Sequence, residues 1–140
     1  MGKQILTIVS IVVAGVLVFW ALRTGALGPL TPLRAIGLAL MAVAFVCWSV
    51  ARLQLGKSFS VRAKATELVT HGIYSKIRNP IYVFGTLFIA GLILSTGHSV
   101  WLLVLLLVIP MQVIRARTEA KVLEAKFGDA YRAYRAKTWF

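Results

Sequence analysis

The stretch THGIYSKIRNPIYVFG, residues 70–85, joins a polar segment to a long apolar run and concentrates several chemically distinctive residues at the junction. Pro80 suits the first turn of a helix, because the N–H group that proline lacks would have no partner there. Asn79 is a good N-cap residue, and Gly72 permits a tight turn. Arg78 adds a permanent positive charge beside the free backbone N–H groups of the helix start. The stretch therefore predicts a helix that begins at Pro80, with an anion-binding corner in front of it.

Two residues near this corner also have simpler interpretations. Arg78 can extend its guanidinium to lipid phosphates, which would leave Asn79 and Pro80 as an ordinary helix start. Glu119, five residues after the last apolar run, can face the same corner or can form an i,i+4 ion pair with Arg115. The sequence leaves both interpretations open for each residue.

Outward from this junction, four apolar segments dominate a chain that is 59% hydrophobic, with a mean hydropathy of +0.84. A helix needs about 20 apolar residues to cross a bilayer core, so the first two segments are long enough. The last two form a short helical hairpin that crosses by recruiting flanking residues, or else re-enters without crossing. We predict an all-α integral membrane protein of one domain, residues 1–140, with about four transmembrane helices. The predicted helices cover residues 5–22, 33–53, 80–96 and 99–127.

The placement of the basic residues predicts the orientation in the membrane. The formal net charge is +12, and fourteen of the 16 lysines and arginines lie near the N-terminus, between residues 52 and 78, or after Ile114. These regions share one side of the membrane if the N-terminus is cytoplasmic, as the excess of positive charge on cytoplasmic loops requires. We therefore predict a bacterial inner-membrane protein with both termini in the cytoplasm. The charge then reflects topology and attraction to anionic membrane lipids, and it does not indicate nucleic-acid binding.

The remaining polar segments are a cytoplasmic loop, residues 54–79, and an amphipathic helical tail, residues 115–140. No Asp, Glu, Lys, Arg or His lies in the interior of the apolar runs, which argues against a pump or a proton-coupled transporter and moves any chemistry to the cytoplasmic interface. The two histidines, His71 and His98, fall on opposite sides of the membrane in this topology, so no metal site is predicted.

Three sequence elements in order resemble the isoprenylcysteine carboxyl methyltransferase family and its phospholipid methyltransferase relatives. ELVTHGIYSKIRNPIY, residues 67–82, is similar to the LVT-x-G-x-Y and R-H/N-P-x-Y element of that family. LGKSFS, residues 55–60, resembles an upstream element, and TEAKVLEAKFGDAYRAYRAKT, residues 118–138, resembles the tail. The chain departs from the family pattern at three positions, which are Thr66, Asn79 and Ala120.

The resemblance implies a membrane methyltransferase that binds S-adenosyl-L-methionine in a cytoplasm-facing pocket closed by the loop and the tail. By motif position, Arg78 and Glu119 are the implied catalytic residues. The implied cofactor-binding residues are Gly72, Tyr74, Arg78, Asn79, Pro80, Tyr82, Glu119, Tyr131 and Tyr134.

The residue types agree with that cofactor. Arg78 suits its carboxylate, Glu119 suits its ammonium, and the tyrosine rings suit its adenine or its sulfonium cation. The expected substrate is a lipophilic or prenylated molecule, with the methyl group passing to a carboxylate as in isoprenylcysteine. A carboxylate needs no base, because two opposite charges neutralise as the new bond forms. One alternative is N-methylation of an ethanolamine phospholipid, and another is a small non-enzymatic transporter or structural subunit.

Overall fold

The computed structural model describes residues 28–56 and 68–140, together with the single positions 15, 16, 19 and 23. The predicted first helix, residues 5–22, and most of the LGKSFS element lie outside the described residues, apart from those single positions. Within the described part, the chain forms helices and turns plus one isolated bridge between Ile77 and Trp139. This confirms the all-α prediction for that part of the chain.

Four α-helices and two 3₁₀ turns follow one another along the described residues. The α-helices are α1 (Pro32–Leu55), α2 (Pro80–Ser95), α3 (Leu105–Phe127) and α4 (Asp129–Lys137). The 3₁₀ turns cover Gly72–Ser75, before α2, and Ser99–Val104, before α3. Helix α1 starts one residue earlier and ends two residues later than predicted. Its first turn is stabilised by Thr31, whose side chain accepts a hydrogen bond from the Arg34 backbone N–H at 3.3 Å.

Helix α2 begins at Pro80, as predicted, but Asn79 does not cap it with its side chain. The Asn79 amide instead donates to the Phe140 oxygen at 3.0 Å. The Asn79 backbone oxygen accepts from the N–H groups of Tyr82 and Val83. The cap prediction is therefore wrong for the side chain, because a distant carbonyl competes for the amide and the backbone satisfies the first turn.

Helices α1 and α2 pack antiparallel at very short range. A Cβ atom added at Gly91 would lie 2.5 Å from the Met41 nitrogen, and one added at Gly37 would lie 2.5 Å from the Ser95 nitrogen. Small residues allow this approach of two helix backbones. At one end of the pair, Arg34 of α1 donates to the Thr96 oxygen just after α2 at 3.1 Å. Helices α1 and α2 are therefore the most closely packed pair of helices in the described part of the chain.

Helix α3 joins the last apolar segment to the tail in one continuous element. It runs thirteen residues beyond Ile114 and ends at Gly128, whose φ of +50° suits glycine. The first six residues of the predicted helix 99–127 form the 3₁₀ turn instead. Helix α4 follows directly after Gly128.

The outer faces of α1 and of the stretch 99–114 are largely apolar. Helix α1 and the continuous helical stretch Ser99–Phe127 are long and apolar enough to cross a membrane, whereas α2, at 16 residues, is shorter. Exposed apolar residues on α3 and the turn before it are Val100, Trp101, Leu103, Val104, Leu106, Leu107, Ile109, Met111 and Ile114. This surface suits contact with lipid and supports a membrane protein.

Candidate active site

Tyr82, at the start of α2, contacts Glu119 of α3. The Tyr82 hydroxyl donates to the Glu119 Oε1 atom at 2.5 Å. The Arg115 Nε atom lies 3.4 Å from the same oxygen, so the ion pair that the sequence offered as one alternative for Glu119 is present. The Arg115 guanidinium also lies 6.0 Å from the centre of the Tyr82 ring. The second carboxylate oxygen of Glu119, Oε2, accepts no hydrogen bond from any residue in the described ranges.

Tyr74 lies between this pair and helix α4, in the 3₁₀ turn before α2. Only 5% of its surface is exposed, and its buried hydroxyl has no hydrogen-bond partner among the described residues. Burial raises the pKa of Tyr74, and the nearby Tyr134 and Glu119 raise it further, against an opposing effect of Arg52. Tyr74 therefore stays protonated and offers an unused donor inside the protein.

Arg78 approaches the cluster from the segment before α2. Its side chain is half-buried, and its Nε atom is buried with no hydrogen-bond partner in the described part of the chain. Its positive charge acts on both tail tyrosines. Burial raises the pKa of Tyr134 to about 12, although the Arg78 charge opposes the shift. The pKa of Tyr131 is raised by burial and lowered by Arg78 in the same way.

Helix α4 covers this cluster with the same two tyrosines. Tyr131 is 1% exposed, and its ring centre lies 6.3 Å from that of Tyr134. The Tyr134 hydroxyl donates to the Tyr74 backbone oxygen at 2.8 Å. The tail is thereby held against the 72–75 turn.

The residues after α4 pair with the segment before α2 as a short parallel bridge. The Trp139 N–H donates to the Lys76 oxygen at 2.8 Å, and the N–H groups of Arg78 and Asn79 donate to the oxygens of Trp139 and Phe140, each at 2.9 Å. These two backbone amides are therefore not available to an anion. The predicted anion-binding corner is reduced chiefly to the Arg78 guanidinium.

Gln54 at the end of α1 holds the 72–75 turn from the other side. Its Oε1 atom accepts from the Ile73 N–H at 2.9 Å. Gly72, with a φ of +60°, packs so closely on this side chain that a Cβ atom would overlap the Gln54 amide. Sequence reasoning missed Gln54 and Arg52, whose position at the end of the apolar helix α1, beside the loop, is the one available signal.

The structure thus brings together six of the predicted site residues and leaves three at the edge. Gly72 packs on Gln54, Asn79 binds Phe140, and Pro80 is buried at the start of α2. The six clustered residues are Tyr74, Arg78, Tyr82, Glu119, Tyr131 and Tyr134. A separate hollow of about 430 Å³ lies at the start of α3 and is lined almost entirely by apolar side chains.

Comparison with known proteins accounts for the three motif elements. The family model of the phospholipid methyltransferases matches residues 32–130, which include all of α1, α2 and α3. The chain belongs to the phospholipid methyltransferase family. The family resemblance inferred from the motifs is confirmed.

The chain is also similar to a curated protein of known name. The chain is 36% identical over 107 residues to a protein-S-isoprenylcysteine O-methyltransferase of Schizosaccharomyces pombe. The similarity covers 69% of this chain and 45% of the yeast protein, so the chain spans less than half the length of that relative. Tyr82 and Glu119 lie inside residues 32–130, which the family model matches. Tyr131 and Tyr134 lie just beyond that range.

Proposed function

We propose that this protein uses S-adenosyl-L-methionine to methylate the carboxylate of a lipophilic, isoprenylcysteine-like acceptor at the cytoplasmic face of the membrane. The observation that carries the proposal is a pair of buried polar atoms, Tyr74 Oη and Arg78 Nε, which lie in one cluster with Glu119 and have no hydrogen-bond partner in the described part of the chain. A buried polar atom without a partner costs about 1–3 kcal/mol. A ligand with complementary polar groups would recover that free energy.

The residues present fit the cofactor group by group. Arg78 offers a buried donor to the carboxylate of the amino-acid end, and Glu119 offers its unbonded Oε2 to the ammonium. Tyr74 adds a neutral hydroxyl donor. The tyrosine rings supply electron-rich faces to a sulfonium cation or an adenine ring.

The reaction needs alignment and exclusion of water more than it needs acid–base groups. When bound, the cofactor supplies a methyl group on a cationic sulfur, which keeps the electron pair of the broken S–C bond while an acceptor oxygen forms the new O–C bond. A carboxylate is already deprotonated at neutral pH. The role of this chain is therefore to hold both partners in line, while helix α4 and the Trp139–Phe140 segment cover the site.

A second candidate function is the N-methylation of an ethanolamine phospholipid, which the description of the matching family favours. The name of the yeast relative favours the carboxylate. An ammonium headgroup must lose a proton before it attacks, and Glu119 is a poor base for it, because Tyr82 and Arg115 contact its Oε1 and we assign its Oε2 to the cofactor ammonium. Membership of a methyltransferase family leaves the transporter and structural-subunit alternatives without support.

Methyl transfer from tritiated S-adenosyl-L-methionine tests this proposal. Protein in nanodiscs is supplied with either a farnesylated cysteine or phosphatidylethanolamine. A methyl ester releases volatile tritiated methanol in alkali, whereas an N-methyl group is stable. We expect alkali-labile label on the farnesylcysteine, lost in Glu119→Gln and retained in Arg132→Ala, a surface control. Alkali-stable label on the phospholipid would instead establish the second candidate.

A further inference from the structure

A second polar contact between α2 and α3 lies deeper in the apolar region than the Tyr82–Glu119 pair. Thr86 Oγ1 lies 2.6 Å from Gln112 Oε1 and 2.9 Å from the Tyr82 backbone oxygen, so these two acceptors share its one proton, and the Thr86 and Gln112 side chains are half-buried. Gln112 is the only amide side chain in the apolar run 100–114. Thr86 lies one helical turn after Tyr82, and Gln112 two turns before Glu119. Both pairs therefore lie along one seam between two antiparallel helices.

The Gln112 amide has donors to spare. Its oxygen Oε1 faces Thr86, so its nitrogen Nε2 points away from that contact and makes no hydrogen bond with the described residues. The nitrogen is also not among the fully buried atoms of this part of the chain, so a ligand can reach it. In lipid no water is present to satisfy an N–H group, which makes an acceptor at this position favourable.

The depth of this pair suits an amphiphile that enters from the bilayer. Thr86 lies six residues after Pro80, or about 9 Å along the helix axis at ~1.5 Å per residue. Helices α2 and α3 contact each other over a much smaller surface than α1 and α2 do. A single hydrocarbon chain of an acceptor would lie along this seam, with its polar head near Gln112.

We propose that Gln112 and Thr86 form the subsite for the polar head of the acceptor, with Gln112 Nε2 donating to its carboxylate. Thr86 is a positioning residue that turns the amide nitrogen toward the ligand. This inference rests on the proposed function and adds the residues that recognise the acceptor. An N–H group binds a carboxylate more strongly than the neutral ester product, so the subsite favours substrate over product.

Equilibrium binding in nanodiscs tests the subsite without turnover. The probes are tritiated N-acetyl-S-farnesylcysteine and its methyl ester. Gln112→Leu is expected to weaken binding of the acid about tenfold while leaving the ester unchanged. Gln112→Glu, which places a negative charge at the subsite, is expected to weaken acid binding further. Met111→Leu, an exposed neighbour on α3, is the matched control and keeps wild-type binding of both probes.

A second pair of variants guards against a simple loss of packing. Thr86→Ser keeps the hydroxyl and is expected to bind the acid normally, whereas Thr86→Val loses the orienting bond and binds it more weakly. Equal losses for acid and ester in Gln112→Leu, or no loss for either, would overturn the subsite.

Cofactor binding separates this inference from the proposed function. The Gln112 variants are expected to bind S-adenosyl-L-methionine as the wild type does, and in turnover to raise the KM for the acceptor alone. A wild-type protein that binds no cofactor yet prefers the acid through Gln112 would leave the subsite standing and overturn the proposed function. A Gln112→Leu variant that methylates the acid as well as the wild type does would overturn the subsite and leave the proposed function standing.

Discussion

The Tyr82 hydroxyl and the Glu119 carboxylate form a 2.5 Å hydrogen bond between residues 37 positions apart in the chain. This bond joins the element at the start of α2 to the tail element on α3. It occupies one oxygen of Glu119 and leaves the other without a partner in the described structure. The pair thus orients a carboxylate toward the cluster that contains Tyr74. The negative charge of Glu119 contributes to the raised pKa of Tyr74.

Replacing Tyr82 with phenylalanine removes this bond and keeps the ring. A hydrogen bond to a charged group contributes about 1.5–3 kcal/mol, so we expect cofactor affinity to fall about tenfold or more as Glu119 loses its orientation. Calorimetric titration with S-adenosyl-L-methionine measures the change. Thr118→Ala, an exposed neighbour of Glu119, is the control. Equal affinity in Tyr82→Phe and wild type would show that the bond does not position the carboxylate.

Helix packing predicts opposite effects for two glycines of α2. Gly91→Ala would place a Cβ atom 2.5 Å from the Met41 nitrogen and 2.8 Å from the Gly37 oxygen, and backbone atoms there cannot move aside. We expect a loss of about 1–3 kcal/mol in stability. Gly85→Ala meets only the Trp48 side chain, at 3.9 Å, and is expected to be neutral or slightly stabilising. Thermal unfolding in detergent compares them, and equal midpoints would contradict the packing.

Tyr134 gives the fold a defined sensitivity to alkali. Its pKa rises from 10.0 to about 12 on folding, mainly through burial. Between these values the unfolded chain has lost a proton that the folded protein retains, so stability falls as pH rises from 10 to about 12 and is undiminished below 10. Tyr134→Phe should cost about 1 kcal/mol at pH 8, for the lost bond to Tyr74, and should flatten the alkaline fall. Unfolding midpoints at pH 8 and pH 11 measure both effects. An unchanged pH dependence in the variant would mean that Tyr134 titrates normally.

Asn79 holds the end of the described chain to the start of α2. Removing its amide in Asn79→Ala deletes the 3.0 Å bond to the Phe140 oxygen. A neutral hydrogen bond contributes about 1 kcal/mol, so local opening should become about fivefold more frequent. Hydrogen exchange of the Arg78 and Trp139 amides should quicken by that factor, while Ser75→Ala, an exposed control, leaves it unchanged. Unaltered exchange in Asn79→Ala would show that the bridge does not depend on this side chain.

The sequence predicted the helix boundaries that carry a local chemical signal, whereas the start of α3, which has none, was predicted six residues too early. Thr31-Pro32 and Pro80 mark two starts, and Gly56 and Gly128 mark two ends with positive φ. The lengths of the apolar segments predicted the remaining extent of the helices. These signals act within one or two helical turns, so they place helices without placing their contacts.

The sequence predicted most of the residues of the site but not their hydrogen-bond partners. Motif positions named six residues that the fold brings together, whereas the helix-start argument expected free backbone N–H groups around Pro80 to bind an anion. In the structure the N–H groups of Arg78 and Asn79 instead donate to the oxygens of Trp139 and Phe140. The sequence could not predict this, because backbone pairing between residues about sixty positions apart leaves no pattern in the side chains. The contact between Thr86 and Gln112 was missed for a similar reason, since each is an isolated polar residue in an apolar run.

Titration of the protein in nanodiscs with S-adenosyl-L-methionine tests the central claim most directly, because every role proposed for the cluster begins with cofactor binding. The account predicts saturable binding to the wild type, weakened about tenfold or more in both Arg78→Ala and Glu119→Gln, and unchanged in Arg132→Ala, whose side chain pairs with Glu124 and Asp129 at the surface. Wild-type affinity in both site variants, or no binding by the wild type, would contradict it.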